Sequence, residues 1–227
     1  HDLDLILWLS GKSCKRLSSF GDLDWFKSEN AYPDAADHCK RCPHKEDCVY
    51  SGYEVYKRYP QMVVQPTIRD YTVENAYDVI ESGDTQYDKC VYKGDNDVCD
   101  HQTVNMQLTG GVIANLTMNA FSEKCYRRTQ VCGSLGEING LIEDGEIRLS
   151  VFGKEEEIIK VKCDDALSQH CGGDRLLLLD FLDYVEGKGK GVCLTSLDKS
   201  VESHVMAFAA ERSRLNGGAV EVIENER

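Results

Sequence analysis

A chain of 227 residues with 39 acidic against 26 basic side chains carries a net charge of −13. That sets aside nucleic acid and anionic membrane as main partners, because both call for a basic surface. Hydrophobic residues at 41% suffice for a real core, and no apolar run approaches the ~18–20 residues of a spanning helix, so no membrane partner is expected.

The length suits one large domain or two small ones. Residues 1–227 are taken as a single domain with a cysteine-containing insert at about 24–60. Eleven cysteines is a large and odd number. A secreted disulfide scaffold is shorter and pairs its cysteines. A reducing, cytoplasmic setting is therefore expected, with most cysteines serving as small buried apolar residues. The first residues, His1-Asp2-Leu3-Asp4, lack the basic stretch of a secretory signal.

In chain order, His1 to Ser10 predicts a short helix with Leu3, Ile6, Leu7 and Trp8 as its stripe and Gly11 as its stop. Lys15 to Leu23 predicts a strand. Residues 24–48 are irregular and carry Cys39, Cys42 and Cys48. Tyr50 to Tyr59 has Tyr50, Tyr53 and Tyr56 at helical spacing, an aromatic stripe suited to docking. Residues 60–69 are extended, Thr72 to Ser82 is a helix, and Tyr87 to Tyr92 is a strand.

From His101 to Lys162 the pattern is one run of strands. Val104, Met106 and Leu108 alternate with Thr103, Asn105 and Gln107, and Val112, Ala114, Leu116 and Met118 alternate with Ile113, Asn115, Thr117 and Asn119. Side chains alternate across a strand, so this is a half-buried sheet. Its polar face holds amides and hydroxyls and could floor a polar ligand. Arg127 to Cys132, Glu137 to Ile142, Glu146 to Phe152 and Glu156 to Val161 continue the run, with Asp144-Gly145 as a hairpin turn. Asp174 to Glu186 is apolar nearly all round and is expected to be buried. Ser196 to Leu215 is a long helix with Val201, Val205, Phe208 and Ala209 as its apolar positions, followed by a strand from Ala219 to Ile223. Grouped strands and segregated helices predict an α+β fold: an open, mostly antiparallel sheet with helices on one face.

No dinucleotide fingerprint is present. Gly133-Ser-Leu-Gly136-Glu-Ile-Asn-Gly140 lies between strands, whereas the fingerprint joins a strand to a helix. Cys39-x-x-Cys42-x5-Cys48 has the spacing of a zinc hook, because two thiolates at this spacing can reach one tetrahedral ion. Cys90 is the fourth ligand expected, with His44 or His38 as alternates, in a structural role.

Several stretches together resemble the C-terminal domain of the Gfo/Idh/MocA family of NAD(P)-dependent sugar and cyclitol oxidoreductases. They are His1-Asp-Leu-Asp4-Leu-Ile-Leu-Trp8-Leu, Cys90-Val-Tyr-Lys-Gly-Asp-Asn96-Asp97-Val-Cys-Asp100-His101-Gln, Gly133 to Gly140, His170-Cys-Gly-Gly173-Asp174, and Leu194 to Arg214. The resemblance implies a Rossmann domain of the same polypeptide before residue 1, holding NAD or NADP, so that this chain alone binds no nucleotide. It implies a sugar or polyol substrate and a homo-oligomer formed through the sheet.

The family's Asp-x-x-x-His-x-x-Asp stretch places His1 as the catalytic residue and Asp4 beside the substrate. An imidazole near neutral pKa can take the alcohol proton as hydride leaves the same carbon. His170 and Asp174, flanking a Gly pair before a helix, and Arg128, at the start of a strand, are the other substrate-binding candidates. His101 and His204 are expected to be structural. An NAD-dependent glycosidase of the same family is one alternative; a non-catalytic binding or scaffold domain with a zinc module is the other.

Overall fold

Alternation along the strand β2 (His101–Leu108) buries Val104, Met106 and Leu108 to 3%, 2% and 0% exposure. In this computed structural model residues 1–63, 70–82, 85–161, 173–188 and 197–223 are described. They form an α+β fold with two antiparallel four-stranded sheets. The expected run of strands is thus divided, and the chain separates into two compact units: 1–120 with 205–227, and 121–204.

The first unit opens with helix α1 (Asp2–Ser10), which stops where Gly11 adopts a left-handed conformation and donates to the Leu7 carbonyl. Its sheet has the order β3-β2-β1-β8. Strand β1 (Cys14–Asp22) pairs with β2 across an irregularity at Cys14 to Arg16. Strand β3 (Ile113–Asn119) returns from β2, and β8 (Glu221–Val222) closes the other edge. Between β1 and β2 the described residues form two α-helices, α2 (Gly52–Arg58) and α3 (Val73–Glu81). Ser51 and Thr72 cap them by accepting from the amides of Glu54 and Asn75. The tyrosine stripe does dock: Tyr53 meets Tyr77 of α3 edge-on at 5.4 Å, and Tyr56 meets Tyr87 at 6.0 Å.

The strand expected at Tyr87 to Tyr92 does not form. Only a single antiparallel bridge, His38 to Lys89, occurs there. Residues 60–62 form a short 3-10 turn rather than extended chain, and 64–69 lie outside the described residues.

The core of this unit gathers Cys14, Leu17, Val104, Met106 and Leu108 of the sheet against Met206, Ala209 and Ala210 of helix α5 (Leu197–Leu215), with Leu3, Ile6 and Leu7 packed alongside. Each fully buried Leu or Met contributes about 1.5–3 kcal/mol. The buried face of α5 is the expected one only in part. Of the expected positions Ala209 is buried, whereas Val201, Val205 and Phe208 are exposed; Met206, Ala210 and Ser213 face inward with Ala209. Small side chains there let the helix lie close to the strands. Ser213 can then accept the Ser19 amide at 2.9 Å and donate to the Ala219 carbonyl. Trp8, counted in the α1 stripe, is also exposed.

The second unit holds the sheet β4-β5-β6-β7, from strands β4 (Arg128–Gly133), β5 (Gly136–Leu141), β6 (Glu146–Val151) and β7 (Glu157–Lys160). Gly133 pairs with Gly136 across a two-residue turn, and Gly145 turns at positive φ between β5 and β6. The glycine series is therefore hairpin structure. Helix α4 (Gly173–Val185) forms as expected but is not buried: its leucines, Phe181 and Val185 are all exposed. Composition predicts burial only where a covering surface is at hand, and no described surface covers this helix.

Candidate functional site

His1 is the N-cap of α1. It is exposed, and its carbonyl accepts the Leu5 amide. Asp4, three residues on, is also exposed and stands on the same side of the helix, since i and i+3 side chains are neighbours. The two residues marked by the motif are thus side by side at the open end of a helix whose other face is anchored in the core. Asp174 lies in the first turn of α4, where a carboxylate suits the positive end of the helix dipole. His170 lies outside the described residues.

Arg128 opens β4 and lines a cavity of about 350 Å³ with Thr129, Asn139, Glu146 and Arg148. That volume falls in the range of small-molecule sites. Arg148 is engaged by Glu146 at 2.8 Å and Glu156 at 3.3 Å. Arg128 instead lies over the Tyr126 ring, 6.0 Å from its centre, and makes no ion pair among the described residues. His1 and Asp4 belong to the first unit, Arg128 and Asp174 to the second.

On the outer face of the first sheet the amides and hydroxyls bond to one another. Asn115 donates to Thr103 at 3.1 Å and to Asn105 at 2.8 Å, Thr117 donates to Asn115 at 3.2 Å, and Arg16 donates to Gln107 at 2.6 Å. Much of the hydrogen-bonding capacity expected for a ligand is spent within the face.

The insert brings Cys39, Cys42, Cys48 and Cys90 to one small cavity of about 20 Å³, together with Tyr32, Lys45, Tyr50 and Tyr92. The fourth cysteine arrives by backbone pairing. Around the His38 to Lys89 bridge, Cys39 donates to the Asp88 carbonyl at 2.6 Å and Cys90 to the Asp37 carbonyl at 2.8 Å. Burial pushes the Cys39 thiol up, and the Gly52 amide, 3.4 Å from its sulfur, pulls the other way. Burial likewise raises Cys48, opposed by the backbone of Tyr50. Cys90 bears electrostatically on both. The two histidine alternates are engaged elsewhere. His38 pairs with Asp88 at 2.9 Å; His44 pairs with Asp34 and stacks on Tyr32 with ring centres 4.2 Å apart.

Two buried carboxylates in this region were not foreseen as organising groups. Asp88 is fully buried and accepts from His38, the Thr85 amide and the Thr85 hydroxyl, while its second oxygen has no partner among the described residues. Asp100 accepts the amides of Asp24, Trp25 and Phe26 at 3.1, 2.7 and 3.3 Å on one oxygen, and His101 at 2.7 Å on the other. In both, burial opposes the charge, but the hydrogen bonds prevail and hold the pKa below the usual carboxylate range. The signal for Asp100 was its place in Asp97-Val-Cys-Asp100-His101; no local pattern marks Asp88. His101 and His204 are bonded within the fold, to Asp100 and to the Ser200 carbonyl.

No family model and no curated protein matches the chain. Solved structures do match in fold. An oxidoreductase from Sinorhizobium meliloti is 12% identical with a TM-score of 0.56, over 96% of this chain and 49% of that one. An oxidoreductase from Pseudomonas syringae is 13% identical with a TM-score of 0.51, over 97% and 50%. A levoglucosan dehydrogenase in complex with NADH is 13% identical with a TM-score of 0.50, over 58% and 40%. The chain thus spans half or less of the structures it matches, and the likeness is one of fold.

Proposed function

We propose that this chain is the substrate-binding and oligomerisation half of an NAD(P)-dependent oxidoreductase of the Gfo/Idh/MocA type, acting on a sugar, cyclitol or related polyol. The coincidence of two independent signs supports this reading. The motif order of the sequence resembles that family, and the fold matches oxidoreductases, one of them a levoglucosan dehydrogenase with NADH. In this reading His1 takes the alcohol proton with Asp4 as the substrate-binding residue beside it, and Arg128, His170 and Asp174 are proposed, each within its own unit, as further substrate-binding residues. The nicotinamide nucleotide supplies the hydride acceptor when bound. The glycines that could have cradled it, Gly133 and Gly136, close a hairpin instead, so the residues that hold the nucleotide are assigned to another part of the polypeptide. The outer face of the first sheet, where Asn and Thr are already bonded in pairs, suits a second copy better than a small ligand.

The test is product analysis with the protein encoded by the full gene. Net formation of reduced nicotinamide with a sugar and cyclitol panel supports the reading. Free sugar released without net reduction points to the glycosidase alternative, and failure to bind any nicotinamide nucleotide overturns it in favour of a scaffold. His1→Ala should lower kcat far more than it alters KM; an unchanged kcat removes His1 from the chemistry.

A further inference from the structure

We infer that Cys39, Cys42, Cys48 and Cys90 hold a single tetrahedral zinc ion that staples the insert to the chain leading into β2. Four thiols from two segments, 39–48 and 90, line one cavity of about 20 Å³. That is room for one water-sized occupant, ~10–15 Å³ being the minimum. The segments are brought together by backbone bonds on either side of the His38 to Lys89 bridge, so the site does not depend on the ion to find its fourth ligand.

The cavity wall offers partners to sulfur. The Gly52 amide donates to the Cys39 sulfur at 3.4 Å, and Lys45 lines the same cavity. Amides and a cation around sulfur offset the negative charge of a thiolate centre. The histidines that could compete are committed to Asp88 and Asp34.

As placed, no three His, Cys, Asp or Glu side chains among the described residues form a ready-made metal grip, and none of the described cysteines is in a disulfide. Cysteine has one side-chain torsion, so the sulfurs can be drawn onto an ion by rotation while the backbone holds. Binding forms four Zn–S bonds and releases up to four thiol protons to solvent, with no change of oxidation state. With every position filled by protein the ion is structural. An all-thiolate set admits zinc or iron; holding loops together asks for no redox chemistry, which selects zinc. The need is visible in the fold, since residues 23–51 contain only 3-10 turns and irregular chain.

The inference does not depend on the oxidoreductase reading, and metal content tests it directly. The intact protein, purified reduced in the presence of zinc, should carry about one zinc per chain. Stripped with chelator and titrated with cobalt, it should give the thiolate charge-transfer and visible bands of a tetrahedral sulfur site. Cys90→Ser should weaken cobalt binding by more than about 100-fold, because outer-shell partners alone are worth about 10- to 100-fold. Cys132→Ser, in β4 and outside the cluster, should leave binding unchanged. Should Cys90→Ser fail to fold, the cobalt spectrum of the wild-type chain still decides whether four sulfurs bind the ion. No metal and no cobalt spectrum, iron in place of zinc, or binding indifferent to Cys90 would each overturn the assignment.

Discussion

Replacing Asp100 by Ala removes the acceptor around which residues 24–26 are folded. Asp100 is 3% exposed, and its carboxylate receives three backbone amides and the His101 ring. A hydrogen bond to a charged group contributes about 1.5–3 kcal/mol net. Three of the four share one oxygen, and only those from Trp25 and His101 are short, so the set is worth about two such bonds, roughly 3–6 kcal/mol. Asp100→Asn keeps an acceptor for the amides but loses the charge, and should cost about half as much.

Urea unfolding of the intact protein, followed by Trp25 fluorescence in a Trp8→Phe background, reads the difference directly. The Asp100 pKa is lowered in the fold. The stability it supplies is therefore full above the unfolded carboxylate value of about 3.9 and fades as pH falls through the lower folded value. The gap between wild type and Asp100→Asn should close in acid along that course. A shift below about 1 kcal/mol for Asp100→Ala, within the ordinary spread of point mutations, would refute the view of Asp100 as the loop's organiser. So would an Asn variant as costly as Ala.

A Cβ at Gly136 would run into the Ser150 carbonyl of the neighbouring strand; Gly136→Ala should cost about 1–3 kcal/mol by thermal melting, and a neutral result would mean that the β5–β6 spacing is wrong. Met206→Ala should cost about 2–5 kcal/mol because its side chain is fully buried. Phe208→Ala should fall within about 0.5 kcal/mol, since that ring is 65% exposed; a reversed order would put the other face of α5 inward.

The strands were legible because half-buried sheets impose a period of two, and Val104, Met106 and Leu108 obey it. The helices were legible in extent but not in orientation. On α5 hydropathy favours Val201, Val205, Phe208 and Ala209, of which only Ala209 is buried; close approach to a sheet selects it together with Ala210 and Ser213. On α4 apolar composition gives no direction, because it names no partner surface. Cys90 is expected beside the hook on its residue type alone; its meeting with Cys39 depends on one isolated bridge between segments some fifty residues apart. Such a contact leaves no periodic trace, and neither does Asp88, whose partners His38 and Thr85 lie on different segments.

The insert is organised by side chains where the sheets are organised by ladders, and the two should fail at different pH. Asp88 ties Thr85 to His38, and Asp100 ties 24–26 to the start of β2; both carboxylates are held below the usual range. Their contribution is complete above about pH 4, the unfolded carboxylate value, and is lost as pH falls through the folded values. The amides of Val104 and Met106 are paired with neighbouring strands, and no carboxylate takes part in that ladder. Amide exchange measured at decreasing pH, corrected for intrinsic rates, should therefore show Trp25, Phe26 and Thr85 losing protection before Val104 and Met106. Simultaneous loss would mean that insert and sheet unfold as one unit, and that the buried carboxylates only report the fold of this region without holding it.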